Sequence, residues 1–315
     1  MTPTPRKQFG QHWLRSDKVL SQIVKAAELS QGDRILEIGP GTGILTRQLL
    51  PLAQSVVSVE IDRDLCQLLA QKLGSIKNFL LLQGDFLTLD LEQILGNLPA
   101  FQAPNKVVAN IPYNITGPIL EKLLGSPAQP RVTAYDTIVL LVQKEVAERL
   151  YGKPSSKAYG ALSVRVQYLA TCELICPVPA KAFYPPPNVD SAVIRLRPRM
   201  VEPLAHNPQK FDRLVTMGFA TRRKMLRNNL KSVVDRDRLT HLLEQLNVNP
   251  EARAEDLSVA EWVALSNQLD ESQGLNLPQD LPEILPATSM LLNTESSDLA
   301  PDSALPPKSP NSGGL

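Results

Sequence analysis

Between residues 16 and 29, Val19, Leu20, Ile23, Val24 and Ala27 recur at helical spacing, and Ser16 stands where an N-cap belongs. Downstream the apolar positions regroup into short continuous runs. RILEIGPGTG is an apolar strand entering a glycine-rich turn, ILTRQLLPLA a helix, and SVVSVEID a second strand ending in acid. RDLCQLLAQKL reads as a helix, NFLLLQGDFL as a third strand with its loop, and NKVVANIPYN as a fourth. GPILEKLLG starts another helix, YDTIVLLVQKEVAERL passes from strand to helix, and LSVRVQYLATCELICPV and DSAVIRLRP read as further strands. Strands alternating with helices at this pitch predict an α/β fold, a mostly parallel sheet with helices on both faces.

Near residue 200 the pattern changes. From Pro208 to about Leu269 it is helical throughout, which predicts a small all-α C-terminal domain. After Asp270 there are no aromatic residues and seven prolines in 45 positions, a composition that cannot bury a core. The expected organisation is therefore a domain over 1–200, a helical domain over 201–270 and a disordered, acidic, Pro-rich tail over 271–315. The formal net charge is +1, but residues 271 to 315 hold six acids and Lys308, a net of −5; +1 minus −5 leaves +6 on residues 1 to 270. The folded part is basic.

Cys66, Cys172 and Cys176 form no CxxC pair, and Cys172 and Cys176 have no neighbouring histidine, so neither a disulfide framework nor a metal is expected. MTPTPRKQFG has no apolar signal core, and the longest apolar run, Ile138 to Val142, falls far short of the roughly 18 residues of a membrane helix. A cytoplasmic protein with no membrane partner is the expectation, with a monomer as the default.

LEIGPGTG sets Gly39, Gly41 and Gly43 at the carboxyl edge of the first strand, where ligands bind in open α/β sheets. A tight strand-to-helix turn without a ligand would use the same residues, so the spacing has to discriminate. A dinucleotide fingerprint needs glycine where Ile44 stands, and no Lys-Ser/Thr pair follows to make a P-loop. Glu60 ends the second strand, placed to accept from a ribose diol. Asp85 follows the third, placed to accept from an adenine amine with Phe86 against the ring. Glycine turn, Glu60 and Asp85 make a cradle for an adenosyl group without phosphates, which favours S-adenosylmethionine over NAD.

NIPYNIT ends the fourth strand on the same edge. Adenine N6 is a poor nucleophile because its lone pair is delocalised into the ring. Two acceptors around its N–H bonds would favour the pyramidal amine that can attack a sulfonium methyl. The Asn110 side-chain oxygen and the Ile111 carbonyl can supply them, Pro112 stiffens the turn, and Tyr113 offers a face for a flipped base. This is catalysis by positioning.

These stretches resemble the KsgA/RsmA family of ribosomal RNA adenine dimethyltransferases. QFGQHWL (8–14), LEIGPGTGILT (36–46), VEID (59–62), GDFL (84–87) and NIPYNIT carry the likeness, with QKEVAERL (143–150), FYPPPNVDSAV (183–193) and RRKMLRNNL (222–230). The resemblance spans about residues 6 to 265. It implies a Rossmann-like S-adenosylmethionine-dependent methyltransferase domain and transfer of four methyl groups to two adjacent adenosines in the hairpin loop near the 3′ end of 16S rRNA, within the 30S subunit. By position it implies that His12 and Leu14 line the cofactor pocket, Gly39 meets the methionine end, Glu60 the ribose, Asp85 the adenine, and Asn110 both cofactor and target amine. Tyr113 would stack on the target base and Phe183 close on it from the other side. Position 12, often Asn in the family, is His here; a contact through the backbone tolerates the change.

Arg222, Arg223, Lys224 and Arg227, read as lying on or near one helix, are the expected rRNA-contacting cations, with Arg6 and Lys7 extending the path. A solvated charged face is the bland alternative. Three other functions compete: an Erm-type enzyme acting on large-subunit rRNA, a non-catalytic ribosome-assembly factor, and a nicotinamide dehydrogenase, against which Ile44 argues.

Overall fold

The computed structural model describes residues 4–131, 135–199 and 202–271; the acidic tail expected over 271–315 lies, past its first residue, outside them. Seven strands form one sheet: Arg34–Ile38 (β1), Ser55–Glu60 (β2), Phe79–Gln83 (β3), Lys106–Asn110 (β4), Thr137–Gln143 (β5), Ala170–Val178 (β6) and Ser191–Pro198 (β7). Their order is β3-β2-β1-β4-β5-β7-β6. The first five are parallel, and β7 runs antiparallel between β5 and β6. Strand order reverses between β1 and β4, so a crevice opens there at the carboxyl edge. Register aligns the strand ends: Ile38 stands beside Val59, Glu60 beside Gln83, and Asn110 beside Leu141.

Alternation explains why these strands read as unbroken apolar runs. Ile35, Val56, Val108 and Val139 face one core, while Leu36, Val57, Val107 and Ile138 face the other. Helix α1 (Asp17–Ala27) covers the first face through Val19, Leu20 and Ile23, and Ser16 Oγ accepts from the Val19 N–H as its cap. Three helices follow, α2 (Thr46–Leu49), α3 (Arg63–Leu73) and α4 (Leu91–Gly96). Beyond β4 come α5 (Thr116–Leu124), α6 (Lys144–Tyr151) and α7 (Ala161–Leu169). At the amino edge of the sheet Lys106 Nζ pairs with Asp33 Oδ2 at 3.0 Å, both nearly buried.

LSVRVQYL, expected as strand, is the body of α7. Its apolar and polar residues alternate as a strand's would, but six of the nine side chains of α7 are buried, so two-sided burial removes the amphipathic signature. Ser163 Oγ accepts from the Gly160 N–H, and tertiary packing does the rest.

The C-terminal helices are α8 (Pro208–Gly218), α9 (Leu226–Asn229), α10 (Arg236–Gln245) and α11 (Val259–Glu271). Phe211, Leu214 and Trp262 belong to one apolar cluster with the second face of the sheet, and the buried Arg165–Asp212 pair (2.6 Å) ties α7 to α8. The basic run departs from the helical reading. Arg222, Arg223 and Lys224 lie in a turn before α9, because Asn229 Nδ2 donates to the carbonyls of Gly218 (2.6 Å) and Thr221 (3.0 Å) and folds the chain back.

Candidate active site

The crevice between β1 and β4 holds a cleft of about 100 Å³ that opens to solvent. His12, Gly39, Glu60, Asp85, Asn110 and Tyr113 all line it, drawn together from five separate stretches of chain. The glycine turn leaves β1 with Gly39 at φ +67° and Gly41 at φ +58°, conformations that side chains resist. Gly39 N–H donates to the Val59 carbonyl (2.9 Å), and a Cβ on Gly39 would lie 3.8 Å from the Asn110 carbonyl oxygen. The turn thus runs flat across the floor between two strand ends.

Glu60 is 5 % exposed. Burial pushes its carboxyl above the usual range, opposed by backbone donors: Asp62 N–H to Oε1 (2.9 Å) and Gly41 N–H to Oε2 (3.1 Å). These bonds fix the carboxylate plane at the mouth of β2. Asp85 accepts from the Leu87 N–H through Oδ1 (2.9 Å), so its loop is a closed turn. Lys122, unnoticed in the sequence, fastens that loop. Its ammonium donates to the carbonyls of Phe86 (2.6 Å), Leu87 (3.1 Å) and Leu89 (2.7 Å) and lies 5.0 Å from the centre of the Phe86 ring.

On the β4 side, Asn110 Nδ2 donates to the His12 backbone carbonyl (3.2 Å). The amide is thereby oriented with Oδ1 as its remaining acceptor. The contact from position 12 is a backbone one, so His in place of Asn leaves it intact. The His12 ring stacks on Tyr113, and its Nδ1–H donates to the Pro185 carbonyl (2.8 Å). Tyr113 OH is 2.6 Å from Ser191 Oγ.

Leu14 and Phe183 stand behind the main cleft. They are paired in a two-residue antiparallel ladder, Trp13–Leu14 against Phe183–Tyr184, and both are buried in the core beneath α1. Neither lines the main cleft; Leu14 borders a smaller adjoining cavity with Trp13, Glu37, Gly39 and Asn110. Two polar atoms there are buried without partners, Trp13 Nε1 and Glu37 Oε1. Glu37 Oε2 accepts from Ser58 Oγ–H (2.6 Å) and Thr46 Oγ1–H (2.8 Å), and burial pushes the carboxyl up to about 7. An unpartnered donor and an unpartnered carboxyl oxygen beside a glycine floor fit the zwitterionic end of an amino acid. The residues present thus suit S-adenosylmethionine along its whole length.

Arg6 is held at the surface by two aspartates. It pairs with Asp62 (3.3 Å) and Asp64 (2.5 Å), while Gln11 Nε2 donates to Asp62 Oδ2 (2.9 Å), so residues 6 to 12 cross the cleft as a strap. Arg222 pairs with Glu255 (2.8 Å) and Arg227 with Glu251 (3.4 Å); Arg223 and Lys224 are exposed. Among the described residues no cluster of three or more His, Cys, Asp or Glu could hold a metal ion, and no helix is long and apolar enough to cross a membrane.

A doubly wound sheet with this glycine turn, carboxylates after β2 and β3 and an Asn-Ile-Pro-Tyr edge after β4 defines an S-adenosylmethionine-dependent methyltransferase of the Rossmann-like class. Residues 3–271 match the family described as ribosomal RNA adenine dimethylase, and the chain belongs to that family. The chain is similar to the ribosomal RNA small subunit methyltransferase A of a Nostoc species, 69% identical over 265 residues, covering 84% of this chain and 98% of the relative. The enzyme of the same name from Nostoc punctiforme is 67% identical over 276 residues, 86% of this chain and 96% of the relative. Among solved structures, a dimethyladenosine transferase from Plasmodium falciparum superposes with TM-score 0.70 at 26% identity, covering 84% of this chain and all of that one. The 23S rRNA methyltransferase ErmE gives TM-score 0.65 at 29% identity, covering 82% and 99%.

Proposed function

We propose that this chain methylates N6 of two adjacent adenosines in the hairpin loop near the 3′ end of 16S rRNA, four methyl groups in all, working on the small ribosomal subunit. The observation that carries the reading is the Asn110 amide, locked by the His12 carbonyl with its oxygen left to accept. S-adenosylmethionine supplies an electrophilic sulfonium methyl when bound. Glu60 would hold its ribose, Asp85 and Phe86 its adenine, and Trp13, Glu37 and Gly39 its amino-acid end.

The work of the chain is positional. Asn110 Oδ1 and the Ile111 carbonyl accept from the two N–H bonds of the target amine and favour its pyramidal form, with the lone pair freed from the ring. Tyr113 supplies the platform for the flipped base. In the second transfer one N–H remains, so one acceptor suffices to hold it. Phe183 reaches the base only if the Leu14–Phe183 ladder shifts, and its role as the opposite wall is part of the proposal. Arg223 and Lys224, together with the ion-paired Arg222 and Arg227, are proposed to meet rRNA phosphates, the helical region serving as the rRNA-contacting domain.

The deciding experiment is transfer of labelled methyl to small subunits lacking the modification, with large subunits and an Asn110→Ala variant alongside. Dimethyladenosine on small subunits alone, lost in the variant, is the expected result. Label on large subunits would move the assignment to the Erm-type substrate.

A further inference from the structure

A second cleft, open and about 550 Å³, lies between the first turns of α1 and the segment leading from β6 to Phe183. Arg15, Lys18 and Lys181 line it, together with Ser16, Gln22 and Cys176, and no carboxylate is among its lining residues. All three cations are exposed. Their lack of ion pairs among the described residues contrasts with the arginines of β7. There Arg195 pairs with Glu28 (2.7 Å) and Glu173 (2.5 Å), and Arg197 with Glu28 (2.7 Å). The protein neutralises one set of cations and leaves the other set open.

The cleft is joined to the active site by a single ladder. His12 Nδ1–H reaches Pro185, Trp13 opposes Tyr184, Leu14 opposes Phe183, and Arg15 N–H donates to the Ala182 carbonyl (2.8 Å). In an extended segment the three residues from His12 to Arg15 span about 10 Å, a reach comparable to one or two nucleotides. Between the two sites stands Tyr184, 46 % exposed, with the Arg15 guanidinium 4.0 Å from its ring centre. Exposed cations and a half-exposed ring, one face of which Arg15 covers, supply the two ingredients of a track for single-stranded nucleic acid, charge for phosphates and a surface on which bases stack.

We infer that this cleft binds the RNA strand flanking the target adenosines, with Arg15, Lys18 and Lys181 on phosphates and Tyr184 beneath an unstacked neighbouring base. The inference rests on the proposed rRNA substrate. It adds a strand path on the face of the sheet opposite the helical region, so that the target loop would be gripped from both sides of the Asn110 edge.

The test compares wild type with a triple variant, Arg15→Gln, Lys18→Gln and Lys181→Gln, and with its charge-retaining counterpart, Arg15→Lys, Lys18→Arg and Lys181→Arg. Each is titrated with a protein-free single-stranded adenosine-containing RNA oligonucleotide at several salt concentrations, and its KM for unmodified small subunits is measured. Cofactor affinity of each variant serves as the check on folding. Three lost phosphate contacts reduce the slope of log affinity against log salt by about 2. KM for subunits rises roughly tenfold or more with kcat held, and the charge-retaining variant restores both. An unchanged slope and KM in the triple variant, while wild type methylates subunits normally, overturns the inference and leaves the function standing. A rise in KM without any change in oligonucleotide binding overturns the RNA assignment in favour of an acidic protein face on the subunit. Failure of wild type itself to methylate would instead remove the reading on which the inference rests.

Discussion

The imidazole of His12 and the phenol ring of Tyr113 lie nearly parallel, 17° apart in plane and 5.8 Å between centres. Each ring is tethered at its polar end, His12 to Pro185 and Tyr113 to Ser191. The tethers set two planar surfaces at the mouth of the cleft, one from the N-terminal strap and one from the β4 edge. Tyr113→Phe keeps the surface and removes only the Ser191 bond, a loss of about 1 kcal/mol or roughly fivefold in rate. Tyr113→Ala removes the platform, and single-turnover methyl transfer falls about 100-fold with cofactor affinity little changed. Equal losses in the two variants would place the function in the hydroxyl.

Asn110→Asp keeps an acceptor but replaces the donor to the His12 carbonyl by a charged oxygen. The carboxylate turns away from that carbonyl, and the geometry around the target amine is lost. Asn110→Ala and Asn110→Asp are both expected to lower kcat by about 100-fold or more, on the scale of losing one preorganised polar group in an active site. Subunit affinity, measured by co-sedimentation, should hold. An active Asn110→Asp enzyme would mean that acceptor charge matters more than orientation.

Lys122→Met strips three carbonyls of their shared donor. Because hydrogen bonds to charged groups contribute about 1.5–3 kcal/mol, the loop carrying Asp85 and Phe86 should loosen. Cofactor Kd rises roughly tenfold, hydrogen exchange quickens over residues 85–89, and kcat at saturating cofactor is retained.

The Glu37 carboxyl gives a pH signature. Its folded value, pushed up to about 7 by burial, exceeds the ordinary 4.5, so the folded state holds the proton more tightly than the unfolded one. The stability this contributes is complete below about pH 4.5 and is lost as pH rises through 7. Thermal unfolding of wild type and Glu37→Gln, without cofactor, should show the variant gaining relative stability across that window by at most about 3 kcal/mol. A constant difference between the two would show that Glu37 does not titrate there.

Much of the site was legible because its parts follow strand ends. The glycine turn, Glu60, Asp85 and Asn110 are each punctuation after an apolar run, and parallel register brings such punctuation to one edge. What was hidden depends on long-range contact. Lys122 meets carbonyls more than thirty residues away and carries no local mark, while Trp13 and Glu37 look like ordinary strand residues until their buried atoms are found without partners. The alternation in α7 imitated a strand, and the arginine run looked helical until Asn229 folded it into a turn. Phe183 has a recognisable motif around it, but no motif states that its partner is Leu14.

Arg6 is 42 % exposed in its side chain and Asp64 is exposed too, while the buried Asp62 keeps Gln11 as a donor, so Arg6→Ala should cost only about 1 kcal/mol of stability. The expected effect is kinetic. Stopped-flow displacement should show faster cofactor release, with the equilibrium loss confined to that rate.

The strap from Arg6 to His12 is a wall of the cofactor cleft, and the chain runs on through Trp13 and Leu14 to Arg15 at the edge of the basic cleft beyond it. Both ends hang on one short ladder, Trp13–Leu14 against Phe183–Tyr184, so a strap that lifts to exchange spent cofactor would disturb the other end. Four transfers need four loadings, so modification should proceed in instalments, with the RNA released or slackened between them. Partly methylated subunits would then accumulate early in a time course, and the molecule would count its methyl groups by separate visits and not in one sitting.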